Sequence, residues 1–98
     1  MSIEKYLITI EQTVLALRYD DDKRLITIGG NFRFRSVMEC IINEGFDRHP
    51  AGFPLQTQKN KIRFTFKKDR EGFVNGIEWL RGNGYSVEPV TKHGNIMR

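Results

Sequence analysis

The sequence predicts an α+β protein, with a mostly antiparallel sheet packed on two helices and built from tandem ββα units with short terminal strands. Three observations predict it. Apolar residues recur at helical spacing in two stretches, Phe34, Val37, Met38, Ile41 and Ile42 in the first and Phe73, Ile77 and Leu80 in the second. The two align 39 residues apart on Phe34 and Phe73, each opened by Asn or Asp and closed by Gly followed by an aromatic residue. An alternating stretch precedes each, Ile26-Thr27-Ile28 and Phe64-Thr65-Phe66.

Taken in order, residues 5–11 alternate as a strand, with Tyr6, Ile8 and Ile10 on one side. Thr13 to Tyr19 is a second strand, and Gln12 marks a bend or bulge before it. Asp20-Asp21-Asp22-Lys23 is turn chemistry. Alternation resumes from Arg24 to Ile28, so residues 13–28 form a hairpin that Gly29-Gly30 ends. A helix follows from Asn31, a capping residue, to Glu44, with Gly45 suited to a left-handed stop. Ser36 offers an alternative start, because Ser36-Val37-Met38-Glu39 matches a capping box. Arg33 and Arg35 near this helix start oppose its dipole and hint at an anionic partner.

Residues 45–59 would make a long loop in so small a domain. The repeat turns part of it into a strand, Phe53 to Gln58, joined by a Lys59-Asn60 turn to a return strand from Lys61 to Lys67. Pro50 and Pro54 fall before or at the edge of that strand, where a missing amide is tolerated. Asp69 caps the second helix, Gly84 ends it, and residues 85–90 make a final short strand. The 98 residues therefore make one domain over 1–90, with units at about 13–45 and 53–84 and a flexible tail over 91–98.

Charge is uneven along the chain. Residues 1–58 hold seven Lys/Arg against eight Asp/Glu, whereas residues 59–98 hold nine against four. Lys59 to Arg70 alone carries six cations opposed by Asp69, a distribution that favours a polyanion. No apolar run approaches a bilayer span and the N-terminus lacks the pattern of a signal peptide, so a cytoplasmic protein without a membrane partner is expected. A single cysteine, Cys40, forms no internal disulfide.

The succession of hairpin, capped helix, hairpin and capped helix resembles the MotA-type double-wing DNA-binding domain of phage transcription activators. The likeness rests on Thr13 to Ile28 and Leu55 to Lys67 as wings and on Asn31 to Gly45 and Asp69 to Gly84 as their helices. Asn31-Phe32-Arg33 and Lys59-Asn60-Lys61 are its more specific echoes. It implies a domain that lays sheet and wings on duplex DNA through basic and polar strand residues. With nothing ahead of the domain to serve as an activation segment, DNA binding rather than activation is what the resemblance leads one to expect. Asp20, Asp21 and Asp22 at the first wing's tip would repel phosphate, so contact is expected to lean on the second wing.

The residues point the same way independently. Alternation from 61 to 67 puts Ile62, Phe64 and Phe66 on one side and Lys61, Arg63, Thr65 and Lys67 on the other. Such a strip supplies phosphate contacts, and Arg63, with its planar fork, suits a guanine edge. Equally, lysines on an exposed strand protect an edge from pairing. The expected nucleic-acid-binding set is Arg18, Arg24, Lys59, Lys61, Arg63, Lys67 and Lys68, on double-stranded DNA, by a monomer or homodimer in a regulatory role.

A protein-interaction module, such as an adaptor, immunity protein or inhibitor, is the competing expectation. It would use Trp79, which falls nearly opposite the second helix's apolar stripe, with Phe53 and the acidic turn of Asp20, Asp21 and Asp22. A strand at residues 85–90 could instead cover Trp79. Asp47-Arg48-His49 is far short of a closed metal site, and residues 20–22 lack the spacing of a calcium loop, so no metal or cofactor is expected. Gly29-Gly30 is isolated and makes no phosphate-cradling motif, a Cys40–His49 pair would need the fold to bring the two together, and nothing in the sequence assembles a nucleophile, a base and an orienting group. The chain reads as non-enzymatic.

Overall fold

Alternation and helical periodicity resolve into one antiparallel sheet with helices against a single face. The computed structural model describes residues 3–49 and 55–90, so the expectations for Pro50, Phe53, Pro54 and the 91–98 tail lie outside the described residues. The strands are β1 (Ile3–Ile10), β2 (Thr13–Asp20), β3 (Leu25–Asn31), β4 (Leu55–Gln58), β5 (Lys61–Lys67) and β6 (Ser86–Pro89). The helices are α1 (Arg35–Cys40), flanked by a 3-10 turn over Phe32–Phe34 and a π turn over Ile41–Gly45, and α2 (Arg70–Gly82). Sheet order is β4-β5-β3-β2-β1-β6, every pair antiparallel. No described helix is long and apolar enough to cross a membrane.

Register assigns every strand residue to a face. Ile8, Leu15, Leu17, Tyr19, Ile26, Ile28, Ile62, Phe64, Phe66 and Val87 are buried beneath the helices. Met38, Ile41, Ile42 and Phe46 come down from the first helical segment, and Phe73, Ile77 and Leu80 from α2. The Tyr19 and Phe73 rings stack at 4.4 Å and 7°, joining the middle of the sheet to α2. Such aromatic pairs add about 1 kcal/mol beyond the area they bury.

Four expectations change. Gly29-Gly30 does not end a strand: both continue β3, pairing with Ala16 and Leu15 on one side and with Arg63 and Ile62 on the other. A Cβ at Gly29 would lie 3.1 Å from the Ile62 carbonyl oxygen, so the absence of a side chain is what permits the close approach. Glu11-Gln12 is not a bulge but a two-residue turn, Ile10 facing Thr13 across it, with Glu11 at φ 52.

The first helix is mostly not α: Asn31 caps its 3-10 entry by accepting from Arg33 N–H at 2.9 Å, and it leaves through the π turn. Gly45 is not in the left-handed region, which Asp47 occupies at φ 54. A Cβ at Gly45 would meet Trp79 Cε3 at 2.9 Å, so this glycine serves packing. At the second helix the readings and the chain coincide: Asp69 Oδ1 accepts Gly72 N–H at 2.8 Å as the α2 cap, and Gly84 turns the chain at φ 89.

Candidate nucleic-acid interface

Because every described helix packs on one side, the opposite face of the sheet is bare among the described residues. Across it, register lines up Lys5, Arg18, Thr27 and Thr65 in one row. The next row holds Leu7, Ala16, Gly29 and Arg63. Lys61, beside Asn31, begins a third. Small residues at Ala16, Thr27 and Gly29 leave a dent in the middle of this face, a concavity of about 780 Å³. Lys5 and Arg18 stand on one flank and Lys61 and Arg63 on the other, and among the described residues no acid lines it.

Strand spacing of about 4.8 Å puts β1 and β5, three strands apart, about 14 Å from each other, comparable with the ~12 Å width of a major groove. Lys5 lies directly opposite Arg18 across the β1–β2 ladder, and both are exposed. Like charges in that position repel, at a cost of up to about 1 kcal/mol. The chain nonetheless keeps four cations around an acid-free hollow. An anion placed in the hollow would offset that repulsion.

The expected binding residues divide between two places. Arg18, Lys61 and Arg63 meet on the bare face, joined by Lys5, which the sequence reading missed. Its alternation with Leu7 was visible, but only the cross-strand register brings it beside Arg18. Cations therefore stand on both sides of the hollow, from the first hairpin and β1 as well as from the second hairpin. Arg24, Lys67 and Lys68 gather instead at the end of the sheet, in a second concavity with Lys23 and Arg48. Lys59 sits in the β4–β5 turn at φ 54, as the first residue of a primed hairpin turn requires.

The alternative set is more dispersed. Trp79 is half-buried, its ring 6.2 Å from that of Tyr85 and against Gly45, so it closes the gap between α2, the π turn and the chain entering β6. Asp20 Oδ1 accepts from the Asp22 and Lys23 amides, both at 3.1 Å, and so shapes the β2–β3 turn. Asp21 and Asp22 are exposed at its tip. Arg33 and Arg35, whose charge hinted at an anion, lie over the Phe34 and Phe32 rings, and Arg35 also pairs with Glu39 at 3.1 Å.

Two further titratable groups have assigned places. The Cys40 thiol donates to Glu44 at 3.6 Å, and burial together with the Glu44 charge pushes its pKa up, away from the thiolate form. Glu4 accepts from the Tyr6 hydroxyl at 2.6 Å and pairs with Arg70, whose guanidinium also lies over the Tyr19 and Phe73 rings. No protein-family model, no curated protein sequence and no solved structure matches this chain.

Proposed function

We propose that this protein binds nucleic acid, duplex DNA in the first instance, by laying the bare face of its sheet on the polyanion. The observation that carries the proposal is the hollow flanked by Lys5, Arg18, Lys61 and Arg63, with no acid in its lining among the described residues. Phosphates on either rim would anchor the duplex, and the small residues of the floor would let a backbone or base edge approach closely. Arg63 and Arg18 carry the planar forks suited to base edges, and Lys5 and Lys61 act as point charges on phosphate. In this reading the two hairpins that meet at β3 and β5, each followed by its helical segment, are tandem ββα units of a double-wing domain. The role is regulatory and non-enzymatic, bearing on transcription through the DNA binding that the double-wing resemblance implies.

Fluorescence anisotropy with a 20-base-pair duplex across a salt series tests the reading. Four or five neutralised phosphates give a slope of log K against log salt of about −4. Arg18→Glu combined with Arg63→Glu is expected to abolish binding while circular dichroism and the melting transition remain those of the folded protein. Lys5→Gln with Lys61→Gln, a milder pair, should weaken binding and flatten the slope by about 2. Affinity that is insensitive to salt, or that survives both pairs, rejects the proposal.

A further inference from the structure

Beyond the bare face, three segments bring five cations to one concavity of about 700 Å³: Lys23 and Arg24 from the β2–β3 turn, Arg48 after the π turn, and Lys67 and Lys68 between β5 and α2. Among the described residues, Asp22 and Asp69 are the acids in its lining, which leaves a net charge of +3. Residues so far apart in sequence meet because the backbone is tied at each segment. Lys68 N–H donates to the Arg24 carbonyl at 2.9 Å, and the Lys68 carbonyl accepts the hydroxyl of buried Tyr19 at 3.1 Å.

Lys23 N–H is fixed by Asp20 Oδ1, and Arg48 N–H by the Ile42 carbonyl at 3.1 Å. Arg24 holds a left-handed backbone at φ 54, a conformation that Gly or Asn would take at lower cost. The Asp69 carboxylate is turned to the α2 amide of Gly72. The cationic rim is thus held on a scaffold already ordered, which lowers the entropic cost of gathering several donors on one anion.

We propose that this concavity is a phosphate-binding site, separate from the hollow on the bare sheet face and not dependent on the DNA reading. Several lysines and arginines around one pocket, among them the guanidinium forks of Arg24 and Arg48, match the tetrahedral oxygens of a phosphoryl group. Lys67 is continuous with the bare face through β5, so the phosphate can come from the backbone of a bound duplex or from a small phosphorylated molecule. Both sources present the same chemistry to the pocket.

Amide chemical shifts of isotope-labelled protein, titrated with pyrophosphate and separately with a 20-base-pair duplex, distinguish them. The expected result is saturable movement of the amides of residues 23–25, 48 and 67–69 with pyrophosphate, lost in Arg24→Gln combined with Lys68→Gln. Arg48→Gln alone, at a position outside both the β2–β3 turn and the α2 cap, should weaken pyrophosphate several-fold. If the duplex moves the same amides and competes with pyrophosphate, the source is the nucleic-acid backbone. If only pyrophosphate moves them, the ligand is a small phosphate. Pyrophosphate that moves none of these amides, or moves them equally in the Arg24→Gln, Lys68→Gln protein, overturns the proposal whether or not the protein binds DNA.

Discussion

Among single residues, Glu4, Tyr6 and Arg70 form a linked group whose charge state depends on the fold. Burial pushes the Glu4 carboxyl upward, but hydrogen bonds from Arg70 and Tyr6 and the Arg70 charge outweigh it and hold the pKa below its ordinary 4.5. Burial first, and then the bond to Glu4, push the Tyr6 hydroxyl up to about 12. The signs give two pH limits. A depressed carboxylate stabilises the fold above its unfolded pKa, and that contribution is lost as pH falls through the lower folded value. A raised tyrosine contributes fully below pH ~10, and its contribution disappears as pH rises toward 12. Thermal melts from pH 2 to 12 should show both limbs. Arg70→Ala should flatten the acid limb, and an acid limb unchanged by that substitution would refute the assignment. Part of this was readable in advance: Glu4 and Tyr6 share a strand face by alternation, whereas Arg70, 66 positions later, arrives only through the packing of α2.

At the scale of elements, α2 is seated by a glycine on its buried face. A Cβ at Gly76 would lie 2.1 Å from Cε1 of Phe46, whose ring is itself buried against Phe66 and Phe73. Gly76→Ala would gain about 1 kcal/mol of helix propensity and incur an overpacking cost of about 1–3 kcal/mol. With the contact this close, overpacking wins, and a net loss of about 1–2 kcal/mol should appear as a lower urea midpoint. Gly82 provides the control, because nothing lies within 4 Å of a Cβ there. Gly82→Ala should stabilise by roughly 0.5 kcal/mol. A Gly76→Ala protein as stable as the parent would show that Phe46 can move aside at little cost.

The same elements mark how far local sequence reaches. Caps at Asn31 and Asp69, the stop at Gly84 and the alternation of β5 are dictated within a few residues and were legible. Gly29-Gly30 was misread because its strand is held by two neighbours distant in sequence. Gly45 was misread because the ring that requires its small size belongs to Trp79.

For the molecule as a whole, a sheet covered on one face raises the question of what meets the other. Val14, 48% exposed, and Ile3, 37% exposed, add apolar area there, which by itself would favour self-association. Charge opposes it, since two bare faces brought together would set Lys5, Arg18, Lys61 and Arg63 against their own copies. The expected state at ~0.15 M salt, where screening extends about 8 Å, is a monomer in sedimentation velocity. A dimer that Val14→Lys dissociates would show that apolar contact prevails on this face.

The sequence by itself determined the class of element at almost every described position, the α+β composition, and the outward strip of Lys61, Arg63 and Lys67. These follow from period, capping and turn chemistry, all of which act over a few residues. Tertiary structure alone decided that β3 pairs with β5 and β6 with β1, that every described helix lies on one face, and that Lys5 meets Arg18 across the sheet. It also separated the cations into a hollow on the bare face and a pocket at its end. Strand register is set by burial summed over the whole core, and a site made of charges from three segments exists only once that sum has been resolved.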